Sequence, residues 1–127
     1  MSYGNRVQEE IAHYEKVENV HDLPPIFHYW SHNYLRPKFQ SLQFSDPNDF
    51  YIGYITQIKP NNSEAHCQIL SVGSGNCDTE VALAELLVQQ DFHNFTFTCL
   101  DLNPHMLERG KQLAFERQLL PRFRFIQ

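Results

Sequence analysis

No apolar run in this 127-residue chain approaches the roughly 18 residues that a membrane-spanning helix needs. The opening Met1-Ser2-Tyr3-Gly4 lacks the basic-then-apolar pattern of an export signal. Basic charge is scarce: 10 Lys and Arg against 15 Asp and Glu leave a net charge of −5. Nucleic-acid binding, which normally rests on a basic patch, is therefore not expected, and neither is a membrane. Cysteine is sparse as well. Cys67, Cys77 and Cys99 are odd in number and form no Cys-x-x-Cys pair, so neither a disulfide framework nor a zinc site is written here. Free cysteines beside apolar runs behave as small buried hydrophobes, which suits a reducing compartment and leads to the expectation of a cytoplasmic protein. Two Asn-x-Ser/Thr sequons, at Asn61 and Asn94, carry no weight without an export signal. There is no internal repeat and no low-complexity tract.

Aromatic residues are not lacking, at 13% of the chain, and they gather in its first half. Val7, Ile11, Tyr14 and Val17 recur at helical spacing, which predicts a helix within residues 1–20. His21-Asp22-Leu23-Pro24-Pro25 interrupts it. Ile26 to about Phe44 reads as a second helix carrying Phe27, Tyr29, Trp30, Tyr34 and Phe39, with Pro37 expected to kink or split it. Ser45-Asp46-Pro47 is a helix-start signal, and the stripe Phe50, Tyr51, Tyr54, Ile55 and Ile58 follows. Pro60-Asn61-Asn62-Ser63 then links to a region of different character.

From Cys67 the periodicity changes. Gln68–Val72 is a strand-length apolar run, Thr79–Gln90 is helical, and Phe95–Leu100 is a Phe- and Thr-rich strand. Asn103 and Pro104 cap and begin a helix reaching about Arg117, and Arg122–Ile126 reads as a third strand. Strand–helix–strand–helix–strand implies a parallel sheet with right-handed crossovers. The expected fold is therefore α/β, a Rossmann-like three-layer arrangement that is incomplete at its end. An all-helical region over 1–63 precedes the α/β region over 64–127.

The chemistry concentrates in Ile69-Leu70-Ser71-Val72-Gly73-Ser74-Gly75-Asn76-Cys77 and in Phe97-Thr98-Cys99-Leu100-Asp101. Glycines between a parallel strand and the next helix let the backbone turn sharply and approach a ligand. An acidic residue ending the second strand can accept hydrogen bonds from both hydroxyls of a ribose. The dinucleotide fingerprint Gly-x-Gly-x-x-Gly is not met, because counting from Gly73 its last glycine falls on Asp78. A carboxylate there opposes a pyrophosphate but tolerates a cofactor without phosphates that carries a positive charge.

These residues resemble the nucleotide-binding half of class I S-adenosylmethionine-dependent methyltransferases. The resemblance covers about residues 67–127. It implies S-adenosyl-L-methionine as cofactor, held by Gly73, Ser74, Gly75, Asp101, Leu102 and Met106, with the helical N-terminal part as a cap. Ser71 stands where that family often has a carboxylate, and Cys77 where its third glycine usually is. In the family, later strands supply the acceptor site and any general base, so no catalytic residue is assigned. The expectation is a methyltransferase or its cofactor-binding fragment, with a small-molecule acceptor and without full competence in this chain alone. If the three strands lie in the order 3-2-1, the first is an apolar edge, prone to self-association. That raises two alternatives to a fragment: a half-fold acting as an interaction module with another chain, or an edge covered by the N-terminal helices. A nicotinamide-dependent oxidoreductase is a further alternative. His28 and His32, four residues apart, share a helix face but have no evident third ligand, so no metal is assigned. Trp30, Tyr34 or Arg36 could close over the methionine end of the cofactor, because aromatic faces attract cations and a sulfonium is one.

Overall fold

The computed structural model describes residues 2–16, 22–58 and 65–127. Two compact units result: Met1–Glu18 with Pro60–Gln127, and Asn19–Lys59.

In the first unit, helix α1 (Tyr3–Glu15) is capped by Ser2, whose Oγ accepts from the Asn5 N–H. Strand β1 (Cys67–Val72) leads through the glycine turn into α5 (Asp78–Gln89). Strand β2 (Phe95–Leu100), α6 (Pro104–Glu116), a short 3₁₀ turn (Leu120–Arg122) and β3 (Phe123–Ile126) complete the order. From β1 onward the bounds agree with the sequence reading to within a residue, and the two ends of β2 agree fully. Asn103 caps α6 as expected: its Oδ1 accepts from the N–H groups of His105 and Met106.

The sheet is three-stranded and parallel, in the order β1-β2-β3. Register puts Ile69, Phe97 and Phe123 in one row across it. This row belongs to the covered face. Phe95, Phe97, Cys99 and Phe123 are buried there, beneath Val81, Ala84 and Leu87 of α5 and Leu107 and Ala114 of α6. The alternate residues form the opposite face, where Leu70 (64%), Val72 (71%) and Ile126 (46%) are exposed. Both crossover helices lie on one side, as right-handed connections between successive parallel strands require. Two layers of the expected three are thus present among the described residues, which is the incomplete Rossmann-like arrangement.

Helix α1 groups with the sheet, a different division from one that places residues 1–63 together. The cause is a set of polar ties. Arg109 donates to the carbonyls of Tyr14 (2.8 Å) and Glu15 (3.4 Å), the last turn of α1, where a cation suits the helix dipole. The Asn103 side-chain amide donates to the Ile11 carbonyl at 3.4 Å. Val17, which the sequence reading places on this helix, and the linker Pro60–Ser63 fall outside the described residues.

In the second unit, α2 (Pro25–Trp30), a π turn (Ser31–Leu35) and α3 (Arg36–Ser41) run consecutively, and α4 (Pro47–Gln57) follows. The expected break at Pro37 takes the form of this π turn, in which the Arg36 N–H reaches back to the Ser31 carbonyl. The wider turn ends just before the residue that has no N–H and whose ring would crowd an α-helical carbonyl. Asp46 caps α4 by accepting from the Asp49 N–H, while Asp49 accepts from the Ser45 N–H, both at 2.9 Å. Phe50 packs between Phe39, Phe44 and Tyr54, with ring centroids 4.8–5.5 Å apart. Trp30 and Tyr34 remain exposed.

Candidate functional site

The site forms where β1 and β2 end side by side. Gly73 (φ +72) and Gly75 (φ +55) both adopt the left-handed conformation that favours glycine. A Cβ added to Gly73 would meet no atom within 4 Å, so the turn faces open space at that point. At Gly75 an added Cβ would lie 3.1 Å from Met106 Cε. The turn is pinned from behind: the N–H groups of Gly73 (2.8 Å) and Ser74 (3.3 Å) both donate to the Leu100 carbonyl.

Asp101 follows β2 directly. Its Oδ2 accepts from the Gly75 N–H and its Oδ1 from the Asn103 N–H, each at 2.8 Å. One carboxylate therefore fixes the glycine turn and the approach to α6 together. It uses one lone pair of each oxygen, which leaves acceptor capacity on both. Asp101 is partly exposed, and Leu102 beside it is 54% exposed. Met106 is buried and supports the turn through its contact with Gly75. Ser74 is partly buried, with its Oγ 3.5 Å from Cys77 Sγ. The turn thus brings Gly73, Ser74, Gly75 and Asp101 together at one end of the sheet, with Leu102 adjacent and Met106 beneath.

Ser71 and Cys77 have clear local geometry. Cys77 takes φ 58, the left-handed conformation that favours glycine, at a strain of about 1–2 kcal/mol. Its side chain is fully buried and hydrogen-bonds to Cys99, which is also buried. The bond from Cys99 lowers the Cys77 thiol, and the same bond together with burial pushes Cys99 well above its ordinary range. Ser71 donates from Oγ to Glu80 Oε1 at 2.5 Å, and Glu80 is only 8% exposed.

Three residues here escape motif reasoning. Glu80 reads as one more acid in a helical first turn. Gly110 reads as a weak point in α6, yet a Cβ there would meet Cys77 Sγ at 2.8 Å and the Asn76 carbonyl oxygen at 2.9 Å. Its absence of a side chain lets α6 press against the glycine turn. Arg109 donates from Nε to Asn76 Oδ1 at 3.1 Å while holding α1, so it connects that helix to the turn. Gly110 has one legible signal, since a glycine inside an otherwise regular helix usually has a packing reason.

In the second unit, His32 Nδ1 lies 3.3 Å from an Arg36 guanidinium nitrogen. No group of three or more His, Cys, Asp or Glu among the described residues could hold a metal ion. No helix among them is long and apolar enough to cross a membrane.

The parallel order, the one-sided helices and the glycine turn at the C-terminal ends of the strands define a Rossmann-like α/β protein. No family model matches the chain, and no curated protein matches it. Among solved structures it is similar to a SAM-dependent methyltransferase from Geobacter sulfurreducens in complex with S-adenosyl-L-homocysteine. The identity is 19% and the TM-score 0.45, over 84% of this chain and 36% of that one.

Proposed function

We propose that the α/β unit binds S-adenosyl-L-methionine and is the cofactor-binding part of a methyltransferase. The observation that carries this reading is Asp101: a partly exposed carboxylate at the end of β2, bonded to the glycine turn and retaining acceptor capacity for two ribose hydroxyls. The open space at Gly73 supports it, since a Cβ would project where a ligand must approach. Gly73, Ser74 and Gly75 would follow the cofactor's backbone-facing edge, Asp101 would hold its ribose, and Leu102 would lie against its adenine. Met106 supports the turn from below. When bound, the cofactor supplies an activated methyl group for transfer to a nucleophile. The residues named here contribute by binding and orienting it, which is where proximity catalysis gains its rate. A small-molecule acceptor is the proposal that fits the acidic balance of the chain.

Isothermal titration calorimetry with S-adenosylhomocysteine and, separately, NADH tests this. S-adenosylhomocysteine is expected to bind and NADH not to. Binding of NADH alone, or of neither, overturns the reading.

A second reading is favoured by the exposed apolar face of the sheet at Leu70, Val72 and Ile126, with β1 as an edge strand among the described residues. In it the chain is a non-catalytic module that associates with itself or another chain through that sheet. Sedimentation velocity over a range of concentrations distinguishes the two, because self-association gives a concentration-dependent mass.

A further inference from the structure

Glu80 is a buried carboxyl group to which no basic side chain among the described residues is paired. It sits in the first turn of α5, facing the sheet, and is more than nine-tenths buried. Its single hydrogen bond is from Ser71 Oγ to Oε1. Oε2 has no hydrogen-bond partner among the described residues. Every fully enclosed side-chain oxygen among them does have one, so Oε2 keeps an opening to the outside. No Lys, Arg or His among the described residues pairs with Glu80 or with Asp101. Arg109, the nearest Lys or Arg in sequence to the Asp101 loop, is committed to Asn76 and to the end of α1, and His105 lies 3.9 Å from Glu15. Both carboxylates flank the same turn: Glu80 is bonded to Ser71 near the end of β1, and Asp101 to Gly75 within the turn. Burial of an unpaired carboxylate is unfavourable unless a cation arrives. The helix N-terminus offsets part of the charge but offers no group for Oε2.

We propose that Glu80, positioned by Ser71, binds the α-ammonium group of the cofactor's amino-acid end. This rests on the cofactor reading above. The Glu80 contact gives the site a selectivity that the ribose contact cannot give, namely preference for an adenosine ligand whose tail carries an α-ammonium group over one without it.

The test uses the full chain and two ligands that share adenosine and a thioether sulfur. S-adenosylhomocysteine has the amino-acid end, and 5′-methylthioadenosine lacks it. Glu80→Gln keeps the size and the oxygen that accepts from Ser71 but removes the charge. Calorimetry is expected to show that this variant binds S-adenosylhomocysteine about ten- to a hundredfold more weakly, the effect of losing a charge-assisted hydrogen bond. Its affinity for 5′-methylthioadenosine should stay within about twofold of the parent, an energy difference well under 1 kcal/mol. Ser71→Ala, which frees the Glu80 carboxylate without removing it, should give a smaller loss of the same selectivity. Equal weakening for both ligands would assign Glu80 a purely structural role and overturn the proposal, as would unchanged binding of S-adenosylhomocysteine. If the parent chain binds 5′-methylthioadenosine and S-adenosylhomocysteine equally, the cofactor reading stands and the Glu80 assignment fails. If it binds neither, both fail. Thermal melts of each variant identify any loss that comes from unfolding.

Discussion

The Gly75 N–H donates to Asp101 Oδ2 at 2.8 Å, across the gap between the ends of β1 and β2. With the second bond, from the Asn103 N–H to Oδ1, Asp101 is a structural clip as well as a candidate ligand contact. The two roles separate by substitution. Asp101→Ala leaves two backbone N–H groups without their acceptor and should destabilise the chain by about 1–3 kcal/mol in urea unfolding. Asp101→Asn keeps one acceptor oxygen, so it should cost less stability than alanine. Both should weaken S-adenosylhomocysteine binding. If Asp101→Ala melts like the parent, the clip is not what holds the turn.

Gly110 sets the distance between α6 and the turn. Alanine is a better helix former than glycine by about 1 kcal/mol, so in an open helix Gly110→Ala would stabilise. Here the added Cβ meets Cys77 Sγ and the Asn76 carbonyl oxygen, at 2.8 and 2.9 Å, and one of those contacts is backbone. Overpacking at such a site is worth about 1–3 kcal/mol against the fold. Chemical denaturation should therefore show Gly110→Ala to be less stable than the parent. A gain in stability would mean that α6 is not pressed on the turn.

The buried thiol pair predicts a pH dependence with a definite sign. Cys99 is held above its ordinary value of 9.0, first by its hydrogen bond to Cys77 and then by burial. Above about pH 9 the unfolded chain releases this proton while the folded chain keeps it, so stability falls, by at most about 1.4 kcal/mol per pH unit. Cys77 is lowered, so its proton leaves the folded chain first, and its contribution rises with pH until the unfolded thiol also ionises. The alkaline loss thus belongs to Cys99. Urea unfolding between about pH 8 and about pH 10.5 should give a shallower decline for Cys99→Ala than for the parent. Parallel declines would contradict it.

Much of the α/β unit is legible in the sequence because its signals are local. Asn103-Pro104 caps and starts α6, the Phe and Thr alternation bounds β2, and Gly73 and Gly75 occupy a turn that demands positive φ. Ser45-Asp46-Pro47 is read equally directly at the start of α4. What escapes depends on partners distant in sequence. Arg109 finds Tyr14 and Asn76, Gly110 finds Cys77, and Asp101 finds Gly75; no window of adjacent residues contains these pairs. The same limit hides where α1 belongs, since its attachment to the sheet runs through the side chains of α6. Pro37 shows a different limit. Proline chemistry predicts a disturbance of the helix but does not choose between a break and the π turn observed.

The proposed function places an adenosine-containing sulfonium cofactor on the glycine turn beside Asp101. Titration of ¹⁵N-labelled full chain with S-adenosylhomocysteine, followed by amide chemical shifts, tests it most directly. Saturable shifts are expected at Gly73, Ser74, Gly75, Asp101 and Leu102, with little change at the N-terminal ends of β1 and β2 around Cys67 and Phe95. Saturable shifts confined to other residues, or no shifts at saturating ligand, would contradict it.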